Sequence, residues 1–486
     1  MHFANLPSRR AAAYPAAPAI RDDTEELDSA ALLRRCESAA AVLAAHGVGE
    51  GDVVAVLLPN RVDLIVTLFA AWRLGAAATP INPVLGDAEA RYQAEDAGAR
   101  LVVAEAGDRV LGIPVLDPGE LAAGDPGTLP PQSPRSDTEL ALLIYTSGTT
   151  GSPKGVMLTH ANLDAMTSSF AEWFELGAND HSLLVLPLFH ANGIVLGTLT
   201  PLRAGGQVTI TGRFSRDRFF DDVARHRPTY FSAVPAIYAL LSTLPEEVRP
   251  DASSVRFAVC GAAPMPAEAI VRFESRFGIT IVEGYGLSET TTASTINPLR
   301  GIRKPGTVGL PLPGQRVAVV GEDGEPVPTG EAGEVVIAGP VVMSGYLGRP
   351  EETARTIVDG WLHTGDIGCF DEDGYLRIVD RIKDMIIRGG ENVYPKEIEN
   401  ALYTHPEVHE AAVVGRTDEV LGEVPVAFVS LAPGGTATPE DLAAHVAGLL
   451  ARYKRPEAVT ILAAIPKNPV GKIDKPALRR ALKERV

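Results

Sequence analysis

"LALLIYTSGTTGSPKG", Leu140–Gly155, runs an apolar strand-like segment straight into a loop of glycine and hydroxyl residues that ends on a lysine. From Gly148 to Lys154 the loop nearly matches the phosphate-binding pattern G-x-x-x-x-G-K-[ST]. Two positions depart from it. Pro153 stands where the second glycine belongs and has no N–H to give a phosphate, and Gly155 stands where a hydroxyl should hold magnesium. Thr146, Ser147, Thr149 and Thr150 still offer hydroxyls, Gly148 allows close backbone approach, and Lys154 adds a cation. Such a loop can wrap a di- or triphosphate without a helix N-terminus, provided the metal ligand comes from elsewhere. An exposed Gly/Ser turn is the competing reading, and the apolar strand just before the loop counts against it.

Outward from this loop, residues from about 28 to 310 alternate amphipathic helices with short runs rich in Val, Ile and Leu. "DVVAVLLP", "SLLVLPL", "QVTITG", "TYFSAVP" and "VRFAVCG" read as buried strands, and "SRDRFFDDVARHR" and "PAEAIVRFESRFG" as helices between them. That alternation implies an α/β fold with doubly wound, largely parallel sheets whose ligands sit at the carboxyl ends of the strands. Near Gly314 the texture changes to hairpins with Gly/Asp turns, "QRVAVVGEDGEPVPTGEAGEVVIAG" and "GWLHTGDIGCFDEDGYLRIVD", a β-rich subdomain over about 314–380. From Asp384 helix and strand alternate again in a small α+β domain of about a hundred residues.

Composition bounds the function. The chain has 486 residues, 45% hydrophobic and 22% charged, which suits a folded multidomain protein. A formal charge of −17 argues against a nucleic-acid or anionic-membrane partner. Cys36, Cys260 and Cys369 lie too far apart for a zinc site or disulfide framework, and a cytoplasmic setting is expected. Cys36 sits within apolar periodicity and reads as a buried structural thiol. No targeting or membrane-spanning segment is legible, because Arg73 cuts short "LIVTLFAAW".

Two further stretches carry chemistry. "VEGYGLSETT" follows a strand and supplies Tyr285, Ser288 and Glu289, and the Glu289 carboxylate can bind the magnesium that Gly155 cannot. "HTGDIG" places Asp366 on a turn where a carboxylate could take both hydroxyls of a ribose; alone, it reads better as an Asx-turn residue.

In order along the chain, "TSGTTGSPKG", "CGAAP", "EGYGLSET", "WLHTGD", "DRIKDMIIRGGENVYPKEIE" and "PKNPVGKIDK" resemble the motifs of the AMP-forming adenylating superfamily. Its members include acyl-CoA synthetases, carrier-protein-loading adenylation domains and beetle luciferases. The resemblance implies an N-terminal adenylation domain over 1–380, and a mobile C-terminal domain over 381–486 hinged at Lys383. It implies activation of a carboxylic acid by ATP and Mg2+ to acyl-AMP and pyrophosphate, then transfer to a thiol. Carried over by motif, Thr146, Ser147, Gly148, Thr149, Thr150 and Lys154 handle phosphates, Glu289 holds magnesium and Ser288 meets the α-phosphate. Gly261, Ala262, Ala263, Pro264, Glu283, Gly284, Tyr285 and Gly286 frame the adenine, and Asp366 and Arg381 the ribose. Lys472 is the implied catalytic lysine: attack of one anion on another is opposed electrostatically, and a lysine bridging the carboxylate and the α-phosphate offsets that repulsion. Lys467 and Lys475 nearby read as solvated surface lysines.

Two departures stand out. Ser288 replaces the usual threonine and keeps the hydroxyl, and Asp380 replaces a common glycine, a change given no functional meaning.

The implied acyl pocket is lined by Phe189 and His190, by Phe231, Ser232, Ala233 and Val234, and by Gly261 and Gly284. His190 reads equally as a gate toward the thiol and as a hydrogen-bonded core residue. Malonate-activating relatives carry arginine at the position of Gly284, which pairs the second carboxylate. Its absence favours a neutral monocarboxylic acid, fatty or small and organic, with oxalate or malonate as the alternative. Coenzyme A is the expected acceptor, with Gly389 and Gly390 letting the pantetheine pass and Arg388, Lys454 and Arg455 near its phosphates. An acyl carrier protein is the alternative acceptor, and a monomer or homodimer is expected.

Overall fold

A computed structural model describes residues 1–105, 112–129, 135–146, 153–263, 265–467 and 472–483. Its packing divides the chain into two compact units, Met1–Val317 with Ile337–His363, and Ala318–Val336 with Thr364–Val486. The β-rich hairpins near residues 318–336 and 364–380 thus group with the C-terminal elements.

In the first unit the strands predicted from apolar runs form two sheets. Among the described residues one has nine strands, and its six central members, from Ile281–Tyr285 through Phe257–Cys260, Tyr230–Ala233, His181–Leu184 and Gln207–Ile210 to Pro18–Arg21, are all parallel. Parallel strands need both faces covered, and alternate side chains supply both. Tyr230, Phe257, Val259 and Val282 enter a core shared with the second sheet, whereas Phe231, Ala258, Cys260 and Ile281 meet the outer helices Phe219–His226, Pro235–Ser242 and Ala267–Phe277.

The second sheet has seven strands among the described residues and is mixed. Its wholly buried Val53–Leu57 strand pairs parallel with Ala77–Pro80 and Ala99–Ala104. The apolar helix Val62–Leu74 covers it and ends at Gly75 in the left-handed region, while Trp72 donates its indole N–H to the Ala141 carbonyl at 2.8 Å. Leu140–Thr146 and Lys154–Thr159 pair antiparallel, with Thr146 opposite Lys154. The glycine-rich loop is therefore the connection of a hairpin rather than of a parallel crossover.

In the second unit, Asp366–Phe370 pairs antiparallel with Leu376–Arg381. Farther on, Gly422–Leu431 is the central strand of a sheet that has five strands among the described residues, with Val408–Asp418 paired antiparallel along it. Ala411 and Val413 pack toward the helices Pro395–Tyr403 and Pro439–Leu449, while Ala412 and Val414 join Leu478 of the helix Lys475–Lys483 on the other face. Period-two alternation builds this core.

Cys36 is buried, and burial pushes its thiol up, as suits a structural residue. No described helix is long and apolar enough to cross a membrane.

Candidate active site

Loops at the carboxyl ends of the parallel strands gather most of the first unit's candidates. After Phe257–Cys260 comes Gly261, then Ala262 at φ +69°. A left-handed alanine is costly, and such strain persists where surrounding structure holds the loop. After Ile281–Tyr285 the chain turns through the short 3-10 segment Ser288–Thr290 to Thr291, β-branched and also left-handed at φ +67°. Its hydroxyl donates to the Val341 carbonyl at 2.6 Å, and the Met343 N–H donates to the Glu289 carbonyl at 2.8 Å. Both bonds fix the carboxylate-bearing turn. Gly286 has no space for a side chain, because a Cβ would strike the backbone of Thr292 and Ala293.

Glu283 is buried on the strand beside Cys260. Burial pushes its carboxyl up to about 7, and main-chain N–H groups of Gly306 and Met265 pull the other way.

Lys154 is brought to Glu289 through a third residue. Its side chain is only 10% exposed, its ammonium pairs with Glu352, and it lies 4.5 Å from the centre of the Tyr346 ring. Tyr346 donates its hydroxyl to Glu289 Oε1 at 2.9 Å. Burial and the Glu289 charge push the tyrosine hydroxyl up, so it keeps its proton and remains a donor. Neither Tyr346 nor Glu352 was singled out in the sequence; "GYLGRPEET" carries no phosphate signature, and its role comes from distant pairing. Ser147, Gly148, Thr149, Thr150 and Pro264 lie outside the described residues.

No group of three His, Cys, Asp or Glu side chains suited to a metal occurs among the described residues. Glu289 still fits magnesium, since that ion is commonly held by one or two carboxylates together with substrate phosphates.

The pocket assignment needs one correction. Phe231 is fully buried against Phe219 and Tyr238, with ring centres 5.1 and 6.0 Å away. It thus faces the outer helices, whereas Ser232 shares the opposite face with Val259 and Val282. Gly284 continues that second face, so Phe231 and Gly284 cannot line one pocket. Ser232, also expected in the pocket, has a buried hydroxyl with no hydrogen-bond partner among the described residues. Gly284 itself faces Ile296, whose Cγ1 would lie 2.8 Å from an added Cβ. Phe189 and His190 stand half-buried beyond His181–Leu184, rings 4.5 Å apart, and Val234 precedes the Pro235–Ser242 helix.

In the second unit Asp366 and Arg381 meet directly. They face each other across the hairpin, with Arg381 Nε 2.8 Å from Asp366 Oδ1. Lys383 is exposed in the turn Ile382–Asp384. Lys472 is exposed just before the final helix, on a loop whose base is closed by the Lys467 and Ile473 bridge. Of the neighbouring lysines, Lys475 is not solvated as expected, reaching Glu399 at 2.9 Å with 17% of its side chain exposed, whereas Lys467 is exposed and reaches Glu410 at 2.7 Å. The cations expected near coenzyme A are also engaged. Arg388 donates to the Tyr453 and Arg455 carbonyls at 3.0 Å, Lys454 pairs with Glu397 at 2.7 Å, and Arg455 donates to the Leu450 carbonyl at 3.0 Å. Gly389 N–H is held by the Leu421 carbonyl at 2.7 Å, and Gly390 follows it in the hairpin turn.

Comparison with known proteins agrees with these motifs. The profile of the AMP-binding enzyme family matches residues 7–347, and that of the AMP-binding enzyme C-terminal domain matches 397–472. A feruloyl-CoA synthase from an Amycolatopsis species is 40% identical over 485 residues, covering 98% of each chain. A sulfoacetate–CoA ligase from Cupriavidus necator is 38% identical, covering 97% of this chain and 96% of its own. Among solved structures, ATP-bound MatB from Rhodopseudomonas palustris superposes with a TM-score of 0.93 at 32% identity, covering 99% of both chains.

Proposed function

The chain belongs to the AMP-binding enzymes and is an ATP-dependent acid:CoA ligase that works through an acyl-AMP, and on that premise we propose that its acid is a neutral monocarboxylic acid. The observation that carries this reading is the Gly284 and Ile296 pair. Ile296, 1% exposed, fills the space that a side chain at 284 would need, so position 284 presents no cation. A second carboxylate placed against it would lose water and gain no cation.

Around that acid the residues divide the work. Lys154 and Glu289 attend the polyphosphate and its magnesium, which neutralises charge on the phosphates when bound. Ser288 meets the α-phosphate, and Gly261, Ala262, Ala263, Glu283, Gly284, Tyr285 and Gly286 surround the base. Asp366 accepts from the ribose hydroxyls, with Arg381 orienting it. Lys472 bridges carboxylate and α-phosphate, and its exposure on a loop closed at the base suits a group that must reach the site and leave it. Lys383 is the hinge. Coenzyme A takes the acyl group; a carrier-protein arm is the other acceptor, and acyl transfer to it would use the same Gly389–Gly390 turn.

An acid panel scored by pyrophosphate release, with and without CoA, tests the proposal. Aliphatic and aromatic monocarboxylates should give CoA-dependent thioester. Preference for oxalate, malonate or sulfoacetate would overturn it, as would acyl transfer to a carrier protein but not to CoA.

A further inference from the structure

One stretch, Gly345–Thr353, holds the outgoing end of the glycine-rich loop at several points. Gly345 and Tyr346 pair antiparallel with Met157 and Val156, and the Leu347 N–H donates to the Gly155 carbonyl at 2.9 Å. Arg349 donates to the Pro153 carbonyl at 3.4 Å, which also accepts the Tyr92 hydroxyl at 3.2 Å. The Glu352 carboxylate then takes the Lys154 ammonium, with the Tyr346 ring beside it and the Tyr346 hydroxyl on Glu289. Main chain fixes where Lys154 starts, and Glu352 fixes where it ends.

We propose that Glu352 is the positioning residue of Lys154, holding its ammonium when no phosphate is bound and competing with the polyphosphate for it when one is. This rests on the reading that Lys154 meets the phosphates. An ammonium has three donors and a fixed charge. A carboxylate at ion-pair distance in a mostly dry setting cancels much of the field that an incoming anion would feel. The same cancellation lets pyrophosphate leave after each adenylation. Glu352 thus trades tightness of phosphate binding for release.

The test uses the full chain with Glu352→Gln, Glu352→Asp, Lys154→Met and the Gln/Met double variant, measuring KM for ATP, kcat and inhibition by added pyrophosphate. Glu352→Gln should bind pyrophosphate about fivefold more tightly, lower KM for ATP in the same sense and lower kcat through slower release. Glu352→Asp, which keeps the charge, should stay near wild type. Lys154→Met should weaken pyrophosphate inhibition about tenfold, and adding Glu352→Gln to it should change nothing more. If Lys154→Met behaves so while Glu352→Gln raises KM for ATP or leaves pyrophosphate inhibition unaltered, the competition is absent and the proposal falls by itself. If Lys154→Met leaves pyrophosphate inhibition intact, the phosphate reading of Lys154 fails first and takes the proposal with it.

Discussion

Asp380 Oδ2 accepts the main-chain N–H of Lys396 at 2.7 Å, while its Oδ1 accepts the N–H of Arg381 at 2.8 Å. Lys396 is the second residue of the Pro395–Tyr403 helix, whose own N-cap residue, Tyr394, makes no side-chain cap. Asp380 therefore caps that helix from another part of the chain, which gives this carboxylate a physical role. Burial pushes the Asp380 carboxyl up, opposed by the Lys475 charge and the two N–H donors.

Removing this cap should be felt locally. Asp380→Ala is expected to cost about 1–2 kcal/mol and to speed amide exchange across Pro395–Tyr403, whereas Asp380→Asn keeps an acceptor and should lose less. Unchanged exchange in that helix for the alanine variant would remove the capping role.

Lys472→Ala should cut adenylate formation by about a hundredfold or more, yet spare transfer to CoA from supplied acyl-adenylate, because the lysine acts on charge that develops in the first step. Lys475→Ala should behave differently. It leaves Glu399, 7% exposed in its side chain, with one cation fewer and should lower stability without separating the two half-reactions. Parallel loss of both half-reactions in a folded Lys472→Ala would count against its assignment.

The Gly284 wall predicts an order of events. Gly284→Arg alone should chiefly destabilise, since Ile296 Cγ1 at 2.8 Å and the Thr295 carbonyl at 3.1 Å block its Cβ. Gly284→Arg with Ile296→Ala makes room and should raise kcat/KM for malonate relative to the preferred monocarboxylate. An unaltered ratio in the folded double variant would show that position 284 does not face the acid.

Glu283 predicts a pH dependence of stability. Its folded carboxyl, at about 7, lies above its ordinary 4.5, so the folded protein binds this proton more tightly than the unfolded chain. The contribution is therefore whole below about pH 4.5 and is lost as pH rises toward 7, with a slope of at most about 1.4 kcal/mol per pH unit for one proton. Urea unfolding of wild type and Glu283→Gln across that window checks it; the glutamine variant should show the shallower decline, and identical slopes would exclude Glu283 as the source.

What the linear sequence determined was whatever a short contiguous stretch can encode. The apolar runs around Val53–Leu57 and Phe257–Cys260 became strands, and the turn that carries Glu289 follows its strand as the local sequence implies, whereas Asp366, expected on a turn, lies within the strand Trp361–Phe370 opposite Arg381. Tertiary structure decided the rest, for two physical reasons. A strand buried on both faces carries no polar alternation, so nothing in "YFSAVP" told Phe231 from Ser232; only the packing of helices on one side did. Charge pairing ignores sequence distance, so the partner of Lys154 lies 198 residues away at Glu352, and the helix beginning at Pro395 takes its cap from Asp380.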